Sequence, residues 1–494
     1  MSMQEIEIAP MSPARFRTVL APERFDEFER TAVRVRKLLE GRAVWNINST
    51  ARGGGVVELL APLLAYARGV GVDARWVVIE GAPEFFAVTK RIHNRLHGAT
   101  GDGGALDDTA RAVYERTLAE NLPALEGRVQ EGDVVIVHDP QPAGMIAALK
   151  EMGAHVIWRC HVGIEHATDP VRETWAFLRA YILPADAYVF SREAFVWEGL
   201  DRDRIAVIHP SIDPLSPKNE DLSPEVVHAV LRASGVFARA VAATPAVFAR
   251  HDGTPGRVEH RAQVAEDEPI PDGAPVVVQV SRWDALKDPL GVIAGFVEHV
   301  PPQTGAHLVY AGPAVEAVAD DPEGLRMLQE SIAFREQLPE DARRRVHLAT
   351  LPMVDVNENA IIVNALQRHA TVVAQKSLAE GFGLTVAEAM WKARPVVASR
   401  IGGIEEQIVD GETGMLVDDP RDLAAFGAAI TSLLENPEEA ARIGARARER
   451  VRDRFTSVRN LLDYAALIER LVGPSAEATR SRAAVGTADA AATR

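Results

Sequence analysis

The sequence predicts an α/β protein made of two doubly wound, mostly parallel sheets. Short β-branched or apolar runs alternate with segments of 3.6-residue apolar periodicity, the pattern of a parallel sheet covered by helices. That alternation runs through the first half of the chain and restarts at Pro275. A chain of 494 residues is also too long for one ordinary hydrophobic core, so two large domains are expected.

In the first half the expected strands are AVWNIN (43–48), ARWVVIE (74–80), DVVIVHD (133–139), HVIWRC (155–160) and DAYVFS (186–191). In the second they are PVVVQVS (275–281), HLVYAG (307–312), RVHLAT (345–350), TVVAQ (371–375) and PVVAS (395–399). Unbroken apolar runs of this kind suit strands buried on both faces. Between the halves, the proline-rich HPSIDPLSPKN begins at His209, and a hinge is expected near Pro210 to Asn219. Residues 236–272 read as an insertion at the entry to the second domain. The expected domains are 1–210 and 211–455, with a final helix at about 456–472 crossing back to the first. The Ala/Ser/Thr/Arg-rich stretch 475–494 lacks apolar periodicity and is expected to be disordered.

Composition narrows the function. Hydrophobic residues make up 47% and charged residues 25%, and no apolar run approaches the roughly 18 residues of a membrane span. MSMQEIEIAP carries no basic-then-apolar leader, and the single cysteine, Cys160, excludes an internal disulfide; a cytoplasmic protein is expected. The net charge of -16 argues against broad affinity for nucleic acid or anionic membrane. An anionic ligand would need a local site of chosen Arg and Lys side chains and helix N-termini.

Open α/β sheets bind ligands beyond the carboxyl ends of their strands, and two such sheets facing each other would enclose a deep cleft. Four segments follow strands in this way. Gly53, Gly54 and Gly55 come after AVWNIN and open a helix, so backbone N–H groups there are suited to an anion. The third glycine of a dinucleotide fingerprint is absent, Glu58 standing in its place, and no Walker lysine is present. A plain strand-to-helix turn is the competing reading. Arg282 and Lys287 straddle the turn after strand 275–281, where both can reach one diphosphate; alone, they also read as solvated surface charge.

The most informative stretch is EGFGLTVAEAMWK, 380–392. Gly381 and Gly383 flank Phe382, and Leu384 and Thr385 open a helix running to about Lys392 whose first N–H groups suit a diphosphate. Glu388 lies one turn deeper, placed for ribose hydroxyls, while Glu380 precedes the helix and can face what lies beyond the phosphates. In WRCHVGIEH, 158–166, the residues Cys160, His161, Glu165 and His166 match no zinc spacing, and the adjacent Cys-His pair is a poor nucleophilic dyad. His161 is better suited to hydrogen-bond a sugar, and His138, ending strand 133–139, is either packing or cleft lining.

With these residues in place, the chain from about Trp45 to Leu471 resembles the retaining nucleotide-sugar glycosyltransferases that carry Glu-x7-Glu on two Rossmann-type domains, the GT-B fold. Within them it is similar to the trehalose glycosyltransferring synthases, through VWNINSTARGGGVVELL, HDPQPAG, WRCH, SIDPLSPKN and EGFGLTVAEAMWK. The resemblance implies that Arg282, Lys287 and the amides near Leu384 and Thr385 hold the donor diphosphate and that Glu388 takes the ribose. It implies also that Glu380 binds hydroxyls of the donor sugar, that His161 lies by its reacting face, and that the loop 53–55 lines the phosphate and acceptor side. The chain departs from the family where His161-Val162-Gly163 replaces His-Ile-Asp, Ala379 replaces Arg and Ala393 replaces Gly.

The implied reaction moves glucose from a nucleoside-diphosphate-glucose, of UDP or ADP type, to glucose, with retention and with no metal or other cofactor required. The partners are then the donor and a small sugar acceptor, and a homodimer is compatible with this reading. Alternatives are a retaining trehalose phosphorylase, a transferase with another sugar or cyclitol as acceptor, and a sugar-nucleotide sensor without turnover.

Overall fold

The computed structural model describes residues 3–51, 55–99, 102–237, 245–250, 253–315 and 322–473. Gly53, Gly54 and the stretch 475–494 lie outside them. The chain divides into two compact units, Met1–Ser211 with Ser457–Arg494, and Ile212–Thr456.

The first unit holds a seven-stranded sheet of β1 (Gln4–Ile6), β2 (Ala43–Asn48), β3 (Asp73–Val78), β4 (Val134–His138), β5 (His155–Cys160), β6 (Ala187–Phe190) and β7 (Ile205–Val207). Their order is β1-β3-β2-β4-β5-β6-β7, with β1 antiparallel on the edge and the rest parallel. Every residue of β2, β4 and β5 is buried, as strands covered on both faces must be. Trp45, Ile47, Val135, Val137 and Trp158 face one core. Val44, Val134, Ile136 and Ile157 face the other, closed by Ala465, Leu467 and Ile468 of the helix Ser457–Val472. Asp133 sets the register of the central pair: its carboxylate accepts from the Ala43 amide at 2.8 Å and the Trp45 indole at 2.9 Å. The helix Pro22–Leu38 covers the same side as Ser457–Val472, burying Phe25, Phe28, Thr31 and Val35 along one stripe, with proline in its first turn and Arg36 and Lys37 in its last.

The second unit has a hairpin of β8 (Val247–Ala249) and β9 (Pro255–Arg257) and a seven-stranded sheet. The sheet comprises β10 (Gln263–Ala265), β11 (Val276–Val280), β12 (His307–Pro313), β13 (Val346–Leu351), β14 (Val372–Gln375), β15 (Val396–Ser399) and β16 (Met415–Val417). Its order is β10-β13-β12-β11-β14-β15-β16, with β10 alone antiparallel. The expected insertion therefore supplies the hairpin and an edge strand. Buried Glu358 holds it: Oε1 accepts from the amides of Glu259 and His260, both at 2.7 Å.

All ten strands expected from the sequence are present. Those it missed, β1, β7, β8, β9, β10 and β16, are three residues each, too short to show a period. The change of unit falls at Ser211–Ile212, within the segment Pro210 to Asn219 expected as a hinge, and the rest of that segment is fixed. Asp213–Asn219 is bound into the second unit: Asn219 Nδ2 donates to the Asp213 carbonyl at 3.0 Å, Asn364 Nδ2 to the Pro217 carbonyl at 2.9 Å and Trp391 Nε1 to the Asn219 carbonyl at 3.1 Å. Prolines here stiffen a fixed loop, because they lower the entropy lost on ordering it.

Candidate active site

In the second unit the turn after β11 places Arg282 and Lys287. Asp284 organises it, its carboxylate accepting from the Leu286 amide at 2.8 Å and from Arg282 Nη2 at 2.9 Å. The Leu378 amide donates to the Leu286 carbonyl at 2.8 Å, tying this turn to the segment after β14. Lys287 Nζ then lies 2.5 Å from Glu380 Oε2. The two cations differ in freedom: the Lys287 side chain is 16% exposed, that of Arg282 66%. Lys287 is preset, and Arg282 can swing. Beneath them, buried Lys376 pairs with Asp288, a residue in the left-handed region at φ 48°.

Glu380 is held by its loop. Gly383 caps the helix Leu384–Trp391 with φ 80°, a conformation that favours glycine. A Cβ on Gly402 would sit 1.9 Å from the Glu380 carbonyl oxygen, so only a bare backbone can pass there. Gln407 Nε2 donates to the carbonyls of Phe382, at 2.5 Å, and Gly383, at 3.2 Å, and the Gly403 amide to that of Gly381 at 2.7 Å. Leu384 and Thr385 are in the first helical turn, where amides have no intrahelical acceptor. The Thr385 hydroxyl donates inward to Gln375 Oε1 at 2.9 Å, leaving its amide as the polar group offered at the helix start.

Glu388 is 3% exposed. Its Oε1 is 3.1 Å from Lys218 Nζ, while Oε2 is buried without a hydrogen-bond partner, an acceptor available for a hydroxyl. Next to it, Lys392 donates to Asn219 Oδ1 at 3.0 Å and the Glu388 carbonyl at 3.1 Å. Burial drives the Lys392 ammonium well below its usual pKa, with the Glu388 charge opposing the shift.

In the first unit the strand ends bring His138 and His161 together, with Nδ1 of the former 3.1 Å from Nε2 of the latter. On its other side His138 Nε2 lies 3.0 Å from Asn46 Oδ1. Burial, then the Arg159 charge, pushes His138 down to about 3 and His161 well below its ordinary range, so both rings are neutral near pH 7. Asp139, at φ 64°, accepts from the His161 amide at 2.8 Å, and burial pushes its carboxyl up to about 6. The Cys160 thiol donates to the Val162 carbonyl at 3.1 Å, and burial raises its pKa far from that of a nucleophile. Glu165 lies 3.4 Å from Arg192. At Gly163 a Cβ would meet Phe195 Cγ at 2.4 Å, so Phe195 fills the space a side chain would need. No cluster of three or more His, Cys, Asp or Glu side chains suited to a metal ion occurs among the described residues.

The residues singled out by sequence thus form two groups. Lys287, Glu380 and the Gly381–Thr385 junction adjoin one another, with Glu388 one turn further in; His138 and His161 form the other group, and Arg282 pairs with Asp284 instead. Gly55 begins the helix Gly55–Gly69. Sequence reasoning missed Asn46, Asp139, Lys218, Gln375 and Gln407. Asn46 and Gln375 left a mark, as polar residues of buried strands.

Comparison with known proteins gives the family. Residues 46–197 match the family model "Trehalose synthase, N-terminal domain" and residues 261–450 the model "Glycosyl transferases group 1". The chain is 36% identical to a trehalose synthase of Rubrobacter xylanophilus over 475 residues, 95% of this chain and 100% of that protein. It is 27% identical to a trehalose phosphorylase of Pleurotus pulmonarius over 443 residues, 84% of this chain and 55% of that protein. The structure of α,α-trehalose 6-phosphate synthase from Burkholderia multivorans matches with a TM-score of 0.63 at 16% identity, covering 88% of this chain and 99% of that one, a likeness of fold. From the matched domains and the full-length similarity, the chain belongs to the trehalose synthase family of group 1 glycosyltransferases, with two Rossmann-like units of the GT-B type.

Proposed function

We propose that the chain transfers glucose from a nucleoside-diphosphate-glucose to the anomeric hydroxyl of a second glucose, with retention, giving the α,α-linked disaccharide. The observation that carries this reading is the Lys287–Glu380 pair at 2.5 Å beside the start of the helix Leu384–Trp391. A cation, unpaired amides and a carboxylate on one junction suit a diphosphate joined to a polyhydroxylated sugar. The buried, unpartnered Oε2 of Glu388 suits a ribose hydroxyl.

In this reading the bond from the anomeric carbon to the diphosphate oxygen breaks as the acceptor oxygen bonds to the same face. The acceptor's proton passes to the departing diphosphate. Retaining glycosidases place two carboxylates about 5 Å apart with one as nucleophile. Here Glu388 is assigned to ribose and Glu380 to donor hydroxyls, so neither is given that role. Rate enhancement then rests on stabilising the charge that grows on the leaving phosphate, by Lys287, Arg282 and the Leu384 and Thr385 amides.

The test is product identification by NMR after incubating glucose with UDP- or ADP-glucose, and separately with glucose 1-phosphate. Trehalose from the nucleotide sugar supports the proposal; trehalose from glucose 1-phosphate alone would mark a phosphorylase instead. Transfer that survives exhaustive chelation is expected, and strict metal dependence would count against the scheme.

A further inference from the structure

We propose that Asn46 is a positioning residue that acts through His138 to fix which ring nitrogen of His161 carries the proton, leaving His161 Nδ1 as a hydrogen-bond acceptor toward the sugar. The clause about the sugar rests on the functional reading above; the tautomer itself does not.

Three strands carry the chain of contacts. Asn46 is on β2, His138 ends β4 and His161 follows β5, neighbours in the sheet. Asn46 Oδ1 stands 3.0 Å from His138 Nε2, and His138 Nδ1 stands 3.1 Å from His161 Nε2. Each contact needs one donor and one acceptor, and a neutral imidazole has one of each. With the amide oxygen facing His138, Nε2 of that ring must donate and its Nδ1 must accept. His161 Nε2 then donates, and the single remaining lone pair of His161 is on Nδ1. His161 is only half-buried, and its Nδ1 has no hydrogen-bond partner among the described residues.

The orientation of the Asn46 amide is the premise: Oδ1 faces His138, while Nδ2 is buried without a hydrogen-bond partner. Asn46 and His138 are 1% and 2% exposed, which keeps the contact between them away from bulk water. The guanidinium of Arg159, fully buried and with Nε and Nη1 unpartnered, opposes protonation of either ring. Opposite polarity would require the Asn46 amide to turn over and would make His161 Nδ1 a donor. For a hydroxyl of a bound sugar the difference decides whether its proton is drawn to His161 or away from it.

The experiment is ¹⁵N NMR of the histidine rings in the full-length protein labelled at histidine, near pH 7.5 and without substrate. His138→Gln and His161→Gln assign the two signals. We expect His138 and His161 both protonated at Nε2 and not at Nδ1. Asn46→Asp, whose carboxylate can only accept, should keep that pattern, and Asn46→Ala should release it into a mixture of tautomers. In transfer assays, Asn46→Ala should lower kcat at least tenfold with donor KM within about twofold, and Asn46→Asp should recover most of that loss. His161 protonated at Nδ1 in the wild type would overturn the proposal, as would an unchanged tautomer in folded Asn46→Ala. The expected tautomers in a protein that transfers no glucose would leave the relay standing and sink the functional reading instead.

Discussion

Lys287 Nζ and Glu380 Oε2 lie 2.5 Å apart although 93 residues separate them in the chain, and both side chains are largely buried. A cation preset against a carboxylate stays in place before the donor arrives. Removing it should affect chemistry and, by leaving the Glu380 carboxylate buried without its cation, stability as well. Lys287→Ala is expected to lower kcat by about 10²–10³, the usual effect of deleting one donor to a developing charge. Arg282→Ala should fall in the same range with little change in stability, because Arg282 is mostly exposed. Steady-state kinetics with both variants decides this, and wild-type turnover in the two would remove the proposed diphosphate site.

Glu388 has one oxygen on Lys218 and one unpartnered. Truncation to alanine strips the charge facing Lys218 and Lys392, and breaking such a buried pair typically costs on the order of 3 kcal/mol. Glu388→Gln keeps the shape and an acceptor oxygen. We expect Glu388→Ala to unfold at markedly lower denaturant concentration, and Glu388→Gln to fold well while raising donor KM more than it lowers kcat. A glutamine variant with unchanged donor KM would take the ribose assignment away.

Gly402 lets the loop before the helix Leu384–Trp391 pass close to the Glu380 carbonyl. Gly402→Ala would put Cβ 1.9 Å from that oxygen and would also strain a residue at φ 50°. The loop carrying Glu380 must move. Thermal-shift measurements with UDP and ADP should show nucleotide stabilisation largely lost in this variant, whereas Gly411→Ala, with open space at its Cβ, should keep it despite φ 72°.

Asp139 titrates near 6 in the folded protein against an ordinary 3.8, because burial disfavours its charge. The folded state thus binds this proton more tightly than the unfolded one. Stability from the group is complete below about 3.8 and is lost as pH rises through about 6. Asparagine tolerates the left-handed backbone and still offers an oxygen to the His161 amide. Asp139→Asn should accordingly be more stable than wild type at pH 7.5 by about 1–3 kcal/mol and flatten the fall in stability between pH 4 and 6.5. Denaturant titrations across that range measure it, and an unaltered slope would show that Asp139 stays charged.

The sequence by itself determined the fold class and most of the strands, because burial on both faces of a parallel sheet demands continuous apolar runs that can be read locally. It also singled out Glu380, Glu388 and Lys287, since a glycine-flanked helix start and a basic turn after a strand are local patterns. What it could not show was partnership. The Lys287–Glu380 pair, the hold of Lys218 on Glu388 and the Asn46–His138–His161 chain depend on sheet order and on the register between distant strands. The proline-rich segment after His209 reads as a hinge in isolation; the carbonyl contacts of Asn364 and Trp391, which bind its later part into the second unit, are not legible there. Local pattern reports which face a residue turns to the core; which side chains meet there is decided by hydrogen-bond geometry between segments that only the folded chain brings within reach.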